Sequence, residues 1–260
     1  HGALSQYPSL QAIASLGAGV DFLFEYETLP QGVAITRVVD PILAADMSEF
    51  VLGVILARIK NLLVFKRVQP KAKWLPLEYK RISEVTVGIM GLGELGSRLA
   101  EDLIRFGFDT RGWSRSEKSL IGLSCFAGDK DLASFLSGTD LLVCLFPLSP
   151  NTRGILNKEL FALLPKGAYE INVARGGHLV EKDLLDILDQ GHLSGAFLDV
   201  FAQEPLSEDH PFWKHPKIDM SPHIASVSDV NSVVPQLLDN YRRLQEGQPL
   251  LNLVSKSRGY

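Results

Sequence analysis

Residues 85–222 alternate short apolar runs with polar segments in which apolar residues recur at helical spacing. This alternation is typical of βαβ units, whose parallel strands are buried on both faces of the sheet. We predict six strands, at 85–90, 108–113, 140–146, 168–173, 194–200 and 217–220. Predicted helices over 95–106 and 181–190 occupy two of the gaps between strands. The sequence therefore predicts an α/β fold with a doubly wound, parallel, Rossmann-type sheet.

The flanks of this region predict a second, smaller domain. A short strand at 10–16 cannot close a domain alone, and a helix over 229–246 can return to it after the last strand of the sheet. A long apolar-periodic helix over 47–66 and a Pro- and Lys-rich connection over 68–81 join the two parts. We expect the smaller, discontinuous domain at 1–44 and 226–260, and the larger domain at 45–225.

Composition excludes several classes of partner. The net charge is −4, so no overall basic field favours nucleic acid or an anionic membrane. The longest apolar stretches, 50–57 and 141–145, are far shorter than the roughly 20 residues that cross a bilayer. Cys125 and Cys144 have no disulfide or metal-ligand spacing, which indicates a reducing, cytoplasmic location and no metal site. The first residue is His1 rather than Met, so we expect the natural chain to begin earlier.

A glycine motif follows the first strand of the sheet directly. Its residues are Gly91, Leu92, Gly93, Glu94, Leu95 and Gly96, and they open the helix over 95–106. A lone GxGxxG is weak evidence, but a strand before it and a helix after it are typical of a dinucleotide pyrophosphate site. We therefore interpret 45–225 as a dinucleotide-binding domain.

The end of the second strand indicates which dinucleotide binds. NAD sites usually carry an acid there for the ribose hydroxyls, whereas this strand ends in Trp113, Ser114, Arg115 and Ser116. A guanidinium suits a 2′-phosphate, and Asp109 stands at the wrong end of the strand to replace the acid. The sequence therefore favours NADP(H), with NAD(H) as the alternative.

Polar residues follow the later strands as well. They are 147–152 after the third strand, Asn172 and Arg175 after the fourth, Asp199 and Glu204 after the fifth, and His223 after the last. Ligands of open parallel sheets gather beyond the carboxyl ends of the strands, so we expect these residues to share one site. His223 is the histidine best placed as an acid or base, with Glu204 as its partner. We expect His178, His192, His210 and His215 in surface loops.

Six motifs, taken in order, resemble those of the D-isomer-specific 2-hydroxyacid dehydrogenases. They are LGAGVD (16–21), GLGELG (91–96), GWSRS (112–116), INVARGG (171–177), LDVFAQEPL (198–206) and SPHIAS (221–226). Within that family, RVVDPILAADMSEF (37–50) and the terminal RGY are similar to the glyoxylate/hydroxypyruvate reductases. Members of the family carry further strand–helix units of the smaller, flavodoxin-like domain ahead of the point where this chain starts.

The resemblance implies a role for each matching residue. Arg175 would orient the substrate, Glu204 would hold the histidine, His223 would donate the proton, and the amides of Ala18 and Gly19 would bind the substrate carboxylate. The helix that starts near Met47 would form a homodimer. The cofactor would contact Gly91, Gly93, Glu94, Leu95, Gly96, Trp113, Ser114, Arg115, Ser116, Pro147, Leu148, Ser149, Thr152, Val173, Ala174 and Asp199.

The predicted reaction is the reduction of a small 2-oxo acid to a 2-hydroxy acid, glyoxylate to glycolate or hydroxypyruvate to D-glycerate. Two alternatives remain open. One is a dinucleotide-sensing corepressor, since related corepressors keep the same fold and catalytic trio. The other is a different dehydrogenase of the family, acting on phosphoglycerate, formate or bulky D-lactate-type substrates. One departure has no explanation in the sequence, because Glu170 occupies a strand position where an apolar residue is expected.

Overall fold

The computed structural model describes residues 3–24, 29–30, 32–256 and 258–259, so Tyr260 of the RGY motif lies outside the described residues. The chain divides into two compact units. The larger unit contains Ala44–Phe146 and Gly154–Ser226, and the smaller contains His1–Leu43, Pro147–Arg153 and Val227–Tyr260. Residues 147–153, which the sequence analysis places in the larger domain, group with the smaller unit.

The strands are β1 (Ala12–Ala14), β2 (Ala34–Thr36), β3 (Thr86–Met90), β4 (Asp109–Ser114), β5 (Ser124–Ala127), β6 (Leu141–Cys144), β7 (Tyr169–Asn172), β8 (Gly195–Leu198) and β9 (Ile218–Met220). The α-helices are α1 (Asp21–Phe24), α2 (Pro41–Ile59), α3 (Leu62–Val68), α4 (Glu94–Phe106), α5 (Gly128–Ser137), α6 (Lys158–Ala162), α7 (Glu181–Asp189) and α8 (Val230–Gln245). Short 3₁₀ turns lie at Ala3–Gln6, Gln69–Lys71, Ile82–Glu84, Gly176–His178 and Pro211–Lys214.

The larger unit is built on a seven-stranded parallel sheet. Its strand order is β5-β4-β3-β6-β7-β8-β9. The chain adds β4 and β5 on one side of β3 and then β6 to β9 on the other side, so the order of addition reverses between β3 and β6. The predicted doubly wound fold is therefore confirmed. The predicted number of six strands was wrong, because the edge strand β5 was missed. Its four residues, of which Ser124 is exposed and only Ala127 buried, are too few to show a periodicity.

Both faces of this sheet are covered by apolar side chains. Leu142 and Leu198 belong to the core on one face, whereas Val143 and Ile171 belong to the core on the other. All four residues of β6, β7 and β8 are buried, as expected of central parallel strands. The polar residue Glu170 lies in this interior and is fully buried.

The predicted single helix over 47–66 is instead two helices. α2 begins earlier, at Pro41, where the Asp40 carboxylate accepts a hydrogen bond from the Ile42 amide at 2.9 Å. It ends before Asn61, which adopts a left-handed conformation with φ 58°. The side-chain amide of Asn61 donates to the Glu78 carbonyl at 2.8 Å. Asn tolerates this conformation better than most residues, so the break is encoded by Asn61 rather than by the apolar periodicity.

The smaller unit contains a two-stranded parallel sheet. Ala12 pairs with Ala34, and the short core includes Val20, Ile35 and Val254. The predicted strand at 10–16 is present only as β1, and β2 was missed because three residues carry no alternating pattern. α8 matches the helix predicted over 229–246 and begins after Asp229, whose carboxylate caps it.

Candidate active site

The glycine turn lies at the point where the strand order reverses. Gly91 has φ 111°, and a Cβ there would lie 2.8 Å from the Leu145 carbonyl, at the end of the neighbouring strand β6. A Cβ at Gly96 would lie 1.8 Å from the Gly91 carbonyl oxygen, so any side chain at Gly96 would separate α4 from the turn. In contrast, a Cβ at Gly93 would contact nothing within 4 Å.

The first turn of α4 faces this open space. The helix begins at Glu94, after Gly93, and no side chain caps it. Its first amides therefore remain available to an anion, and the helix dipole favours negative charge at this end. Glu94 is exposed and Leu95 partly buried. Space at Gly93 combined with free amides fits the pyrophosphate of a dinucleotide.

The end of β4 divides its four predicted cofactor residues into two pairs. Trp113 is 6% exposed and its indole nitrogen donates to the Gly128 carbonyl at 3.0 Å, whereas the Ser114 hydroxyl donates to the Ser116 carbonyl at 2.7 Å. Arg115 and Ser116 are exposed at the end of the strand. Trp113 and Ser114 therefore shape this loop, and Arg115 is an exposed cation at the end of the strand.

The opposite end of β4 carries Asp109, which accepts a hydrogen bond from the Thr86 hydroxyl at 2.9 Å. Since parallel strands align their carboxyl ends, Asp109 lies at the amino edge of the sheet, away from the glycine turn. It cannot substitute for the missing ribose-binding acid.

Residues 147–152 form a closed turn within the smaller unit. The Thr152 hydroxyl donates to the Pro147 carbonyl at 2.8 Å and accepts from the Ser149 amide at 2.9 Å. The side chains of Leu148 and Ser149 are buried, and Pro147 is exposed. The Thr152 hydroxyl thus closes the turn from within.

The end of β7 holds Arg175 in a fixed loop. The side-chain amide of Asn172 donates to the Arg175 carbonyl at 3.1 Å, and Nδ1 of the fully buried His178 lies 3.0 Å from the same oxygen. Val173 and Ala174 between them are buried. Arg175 itself is partly exposed, and its Nη1 donates to the Ala174 carbonyl at 2.7 Å.

The Arg175 loop packs directly on the loop that follows β8. A Cβ at Gly176 would lie 1.8 Å from the Phe201 backbone carbon, so only glycine permits this approach. The Phe201 amide in turn donates to Oε1 of Glu204 at 2.9 Å. One Glu204 oxygen is thereby fixed against the backbone, and the other remains for a partner.

That partner is His223. Its Nδ1 lies 2.6 Å from Oε2 of Glu204, and the imidazole is 44% exposed. With Nδ1–H donating to the carboxylate, Nε2 faces outward as the nitrogen that exchanges protons. His223 also has φ 53°, an unusual conformation for a residue other than glycine and one that concentrates at functional sites.

Asp199 holds the backbone around His223. Its Oδ1 accepts from the Ser221 hydroxyl at 2.6 Å and the Ile224 amide at 2.9 Å, and Oδ2 accepts from the Ala225 amide at 3.0 Å. The His223 amide donates to the Asp199 carbonyl at 2.8 Å. Asp199 is 1% exposed, so this carboxylate positions the His223 loop.

Ala18 and Gly19 lie in the smaller unit, in a turn that follows β1. The buried Ser15 hydroxyl lies 3.2 Å from the carbonyl oxygens of both Gly17 and Gly19. Among the described residues, the amides of Ala18 and Gly19 have no hydrogen-bond acceptor. These two amides remain available to a carboxylate.

One of the other histidines differs from the sequence expectation, because His178 was expected in a surface loop but is fully buried. His192, His210 and His215 lie in loops and are partly exposed. The structure also adds His178 and Ser221 to the set that shapes the site, and it gives Asn172, which was expected there, the role of holding the Arg175 carbonyl. Sequence reasoning missed these roles because each acts through a backbone carbonyl or through Asp199 rather than through a ligand.

Three buried titratable groups lie in the sheet outside this site. Burial raises the pKa of Glu170 well above its usual value of 4.5, and neither of its carboxyl oxygens has a hydrogen-bond partner among the described residues. Burial likewise raises the pKa of the Cys144 thiol and of the Tyr169 phenol. No cluster of three or more His, Cys, Asp or Glu suited to a metal ion occurs in the described part of the chain. Nor is any described helix both long and apolar enough to cross a bilayer.

Comparison with known proteins gives a family and several relatives. The family model for the D-isomer specific 2-hydroxyacid dehydrogenase NAD binding domain matches residues 52–225. A glyoxylate/hydroxypyruvate reductase A of Serratia proteamaculans is 42% identical over 265 residues, which covers 100% of this chain and 85% of the relative. A protein of the same name from Yersinia enterocolitica is 40% identical, covering 99% of this chain and 84% of the relative.

Two solved structures are also similar. A D-isomer specific 2-hydroxyacid dehydrogenase from Xanthobacter autotrophicus, in complex with NADPH and MES, matches 100% of this chain and 82% of its own at 42% identity and a TM-score of 0.95. An NADPH-dependent glyoxylate/hydroxypyruvate reductase from Sinorhizobium meliloti, in complex with NADP and sulfate, matches 97% of this chain and 81% of its own at 40% identity and a TM-score of 0.92.

Proposed function

The chain belongs to the D-isomer specific 2-hydroxyacid dehydrogenase family, and from that premise we propose that it reduces glyoxylate and hydroxypyruvate with NADPH. The His223–Glu204 pair is the observation that carries this proposal, because a carboxylate fixes the imidazole and leaves its outer nitrogen to protonate a carbonyl oxygen. The relatives named glyoxylate/hydroxypyruvate reductase A support the choice of substrates.

The proposed mechanism divides the work between two loops of the larger unit. Arg175 binds the substrate carboxylate through its guanidinium fork and stabilises charge that develops on the carbonyl oxygen. His223 transfers the proton on Nε2 to that oxygen, and Glu204 stabilises the orientation of the ring throughout. When bound, NADPH supplies the hydride that adds to the carbonyl carbon. The products are glycolate from glyoxylate and D-glycerate from hydroxypyruvate.

The cofactor is NADP(H), which agrees with the NADPH and NADP complexes of the similar structures. In the proposed arrangement, Gly93 and the first amides of α4 bind the pyrophosphate, since the structure leaves space there. Arg115, which is exposed at the end of β4, binds the 2′-phosphate. The other predicted cofactor residues, and the substrate-binding amides of Ala18 and Gly19, remain part of the same proposal.

Substitution of His223 by Asn tests the proton donor. Losing a positioned general acid typically lowers turnover by about 10²- to 10⁴-fold, so we expect the kcat of His223→Asn to fall by that factor on both oxo acids. NADPH affinity, measured by fluorescence titration, should stay unchanged. His210→Asn is the matched control, because His210 also lies beside a glutamate, with its Nε2 3.3 Å from Glu181, but belongs to a different loop.

Two results would contradict the proposal. Near-normal turnover in His223→Asn would exclude His223 as the proton donor. A wild-type protein that binds NADPH but reduces neither acid would exclude the reductase and favour the dinucleotide-sensing alternative.

The proposal includes a homodimer formed through α2 and the segment after it. Met47 and Ser48 are buried in the unit's own core, so the outer face of α2, with Glu49 and Gly53 exposed, is the part open to a partner. Beyond the helix, Phe65, Trp74, Leu77 and Tyr79 are exposed, and Trp74 is 94% exposed. An apolar surface of this kind is typical of protein interfaces. Light scattering should show a dimer that Trp74→Ser weakens.

The proposed location is the cytoplasm. Cys125 and Cys144 are both free thiols, which is usual for a protein of a reducing compartment. Fractionation of cells that express the tagged natural protein would test this point directly.

A further inference from the structure

Three donors converge on the carbonyl oxygen of Arg175. The backbone amide nitrogen of His178 lies 3.2 Å from this oxygen, Nδ1 of its imidazole 3.0 Å and the side-chain amide nitrogen of Asn172 3.1 Å. Because a carbonyl oxygen only accepts hydrogen bonds, Nδ1 of His178 carries the proton of this contact. The imidazole therefore fixes the Arg175 peptide from the interior of the larger unit.

The guanidinium of Arg175 is tied to the same stretch of backbone. Its Nη1 donates to the carbonyl of the preceding residue, Ala174, at 2.7 Å. The Ala174 amide donates in turn to Oδ1 of Asn172 at 3.1 Å. A shift of the backbone whose carbonyl His178 holds would therefore move the cation as well.

The imidazole of His178 has a fixed position of its own. It is fully buried, and its ring centroid lies 6.3 Å from that of Phe146 at an interplanar angle of 46°. The His178 carbonyl accepts a hydrogen bond from the Leu156 amide at 2.9 Å, so its backbone is anchored too. A donor that is held in this way can define the position of the peptide that it binds.

The residue type at this position points to a role beyond packing. Its sequence neighbour Leu179 and its ring neighbour Phe146 both belong to an apolar core. An apolar side chain of similar volume would fill the same space without the cost of removing an imidazole from water. The hydrogen bond that His178 makes explains its polarity, and that bond ends on the backbone of Arg175.

We propose that His178 is a positioning residue, which holds the Arg175 guanidinium where it binds the carboxylate of the substrate by donating from Nδ1 to the Arg175 carbonyl. This inference rests on the proposed role of Arg175 and gives His178 no contact with substrate or cofactor. A guanidinium fork pairs with both oxygens of a carboxylate in one orientation only, so a shifted loop loses one of the two hydrogen bonds. Removing the Nδ1 donor should therefore weaken binding of the acid and leave binding of NADPH unchanged.

Calorimetric titration of oxalate into the NADPH-saturated protein tests the inference without turnover, because oxalate carries a carboxylate like that of the substrate but is not reduced. His178→Phe keeps a buried ring without the donor and should weaken oxalate binding by about tenfold or more. His178→Asn places an amide nitrogen as far along the side chain as Nδ1 and should stay within about threefold of the wild type. The KM for glyoxylate should follow the same order, and NADPH affinity should be equal in all three proteins.

Two comparisons separate positioning from packing. A role limited to packing predicts the opposite order of oxalate affinities, since Asn fills less of the core than Phe. His192→Phe is the matched control, because Nε2 of His192 lies 3.0 Å from the Phe161 and Leu164 carbonyls but the residue precedes β8, at the other edge of the sheet. Its oxalate affinity should equal that of the wild type.

The inference fails if the wild type does not bind oxalate, if His178→Phe binds it as tightly as the wild type, or if His178→Asn binds it no more tightly than His178→Phe. An equal loss of affinity in His192→Phe would also overturn it. A wild type that binds oxalate but reduces neither oxo acid would refute the proposed function alone, and the order of oxalate affinities among the variants would still decide the inference.

Discussion

Replacing Glu170 should stabilise this protein, and by an amount that grows with pH. The side chain is fully buried in β7, between Leu142 of β6 and Ala196 of β8 in the register of the sheet. Neither carboxyl oxygen has a hydrogen-bond partner among the described residues. Because a buried, unpaired polar group costs about 1–3 kcal/mol even when neutral, Glu170→Leu should raise the free energy of unfolding by about that amount in mildly acidic solution.

The pH dependence follows from the raised pKa of Glu170, which burial causes. The folded protein keeps the proton, whereas the unfolded chain releases it above the ordinary value of 4.5. The contribution of this group to stability is therefore complete below about pH 4.5 and is lost as pH rises toward the pKa of the folded state. In that window the free energy of unfolding falls as pH rises, with a limiting slope of about 1.4 kcal/mol per pH unit.

Urea unfolding of the wild type, Glu170→Leu and Glu170→Gln at several pH values measures both effects. Both variants should lack the fall that the wild type shows, and the advantage of Glu170→Leu should grow steadily as pH rises above about 4.5. Glu159→Gln, at an exposed site on α6, is the control and should follow the wild type. The reasoning fails if Glu170→Gln keeps the wild-type slope, or if Glu170→Leu is less stable than the wild type near neutral pH.

Two further predictions concern the site. Gly93→Val should fold normally but lose NADPH affinity, because its side chain would fill the open space beside α4. Gly96→Val should instead lower the melting temperature, since a Cβ there would lie 1.8 Å from the Gly91 oxygen. Melting curves and fluorescence titration distinguish the two effects, and equal stability of both variants would contradict this prediction. Asp199→Asn should lower kcat with little change in NADPH affinity and reduce stability by about 1–3 kcal/mol, because its amide would face backbone donors that the carboxylate now accepts. Unchanged kcat in that variant would show that the His223 loop keeps its shape without the carboxylate.

Periodicity and motif context predicted the parts of the fold that depend on long segments. The central strands and α4 followed from apolar runs, and the glycine turn followed from its place between them. The short strands β2 and β5 were missed, because three or four residues carry too little pattern. The break at Asn61 was missed because the apolar periodicity continues across it. The left-handed backbone conformation of Asn61 alone ends the helix there.

For the site, the sequence indicated which residues could react but not which residues hold them. His223 and Glu204 were predicted as partners and lie 2.6 Å apart. His178 was misplaced because a histidine in a glycine-rich turn usually lies at the surface, whereas here it supports the Arg175 carbonyl from the interior. Asp199 was predicted to meet the cofactor, and that role stays a prediction. Its three hydrogen bonds to the His223 loop come from residues distant in sequence, which no local pattern reveals.

The anchoring of the His223 loop by one buried carboxylate has a consequence for the evolvability of this protein. The Ser221 hydroxyl and the backbone amides of Ile224 and Ala225 all donate to Asp199, so any change that removes this hydroxyl or alters the backbone of the loop moves the same imidazole. Laboratory selection for new substrates should therefore accumulate changes outside residues 221–225 and leave the proton donor untouched. A library confined to this loop should therefore yield few active members.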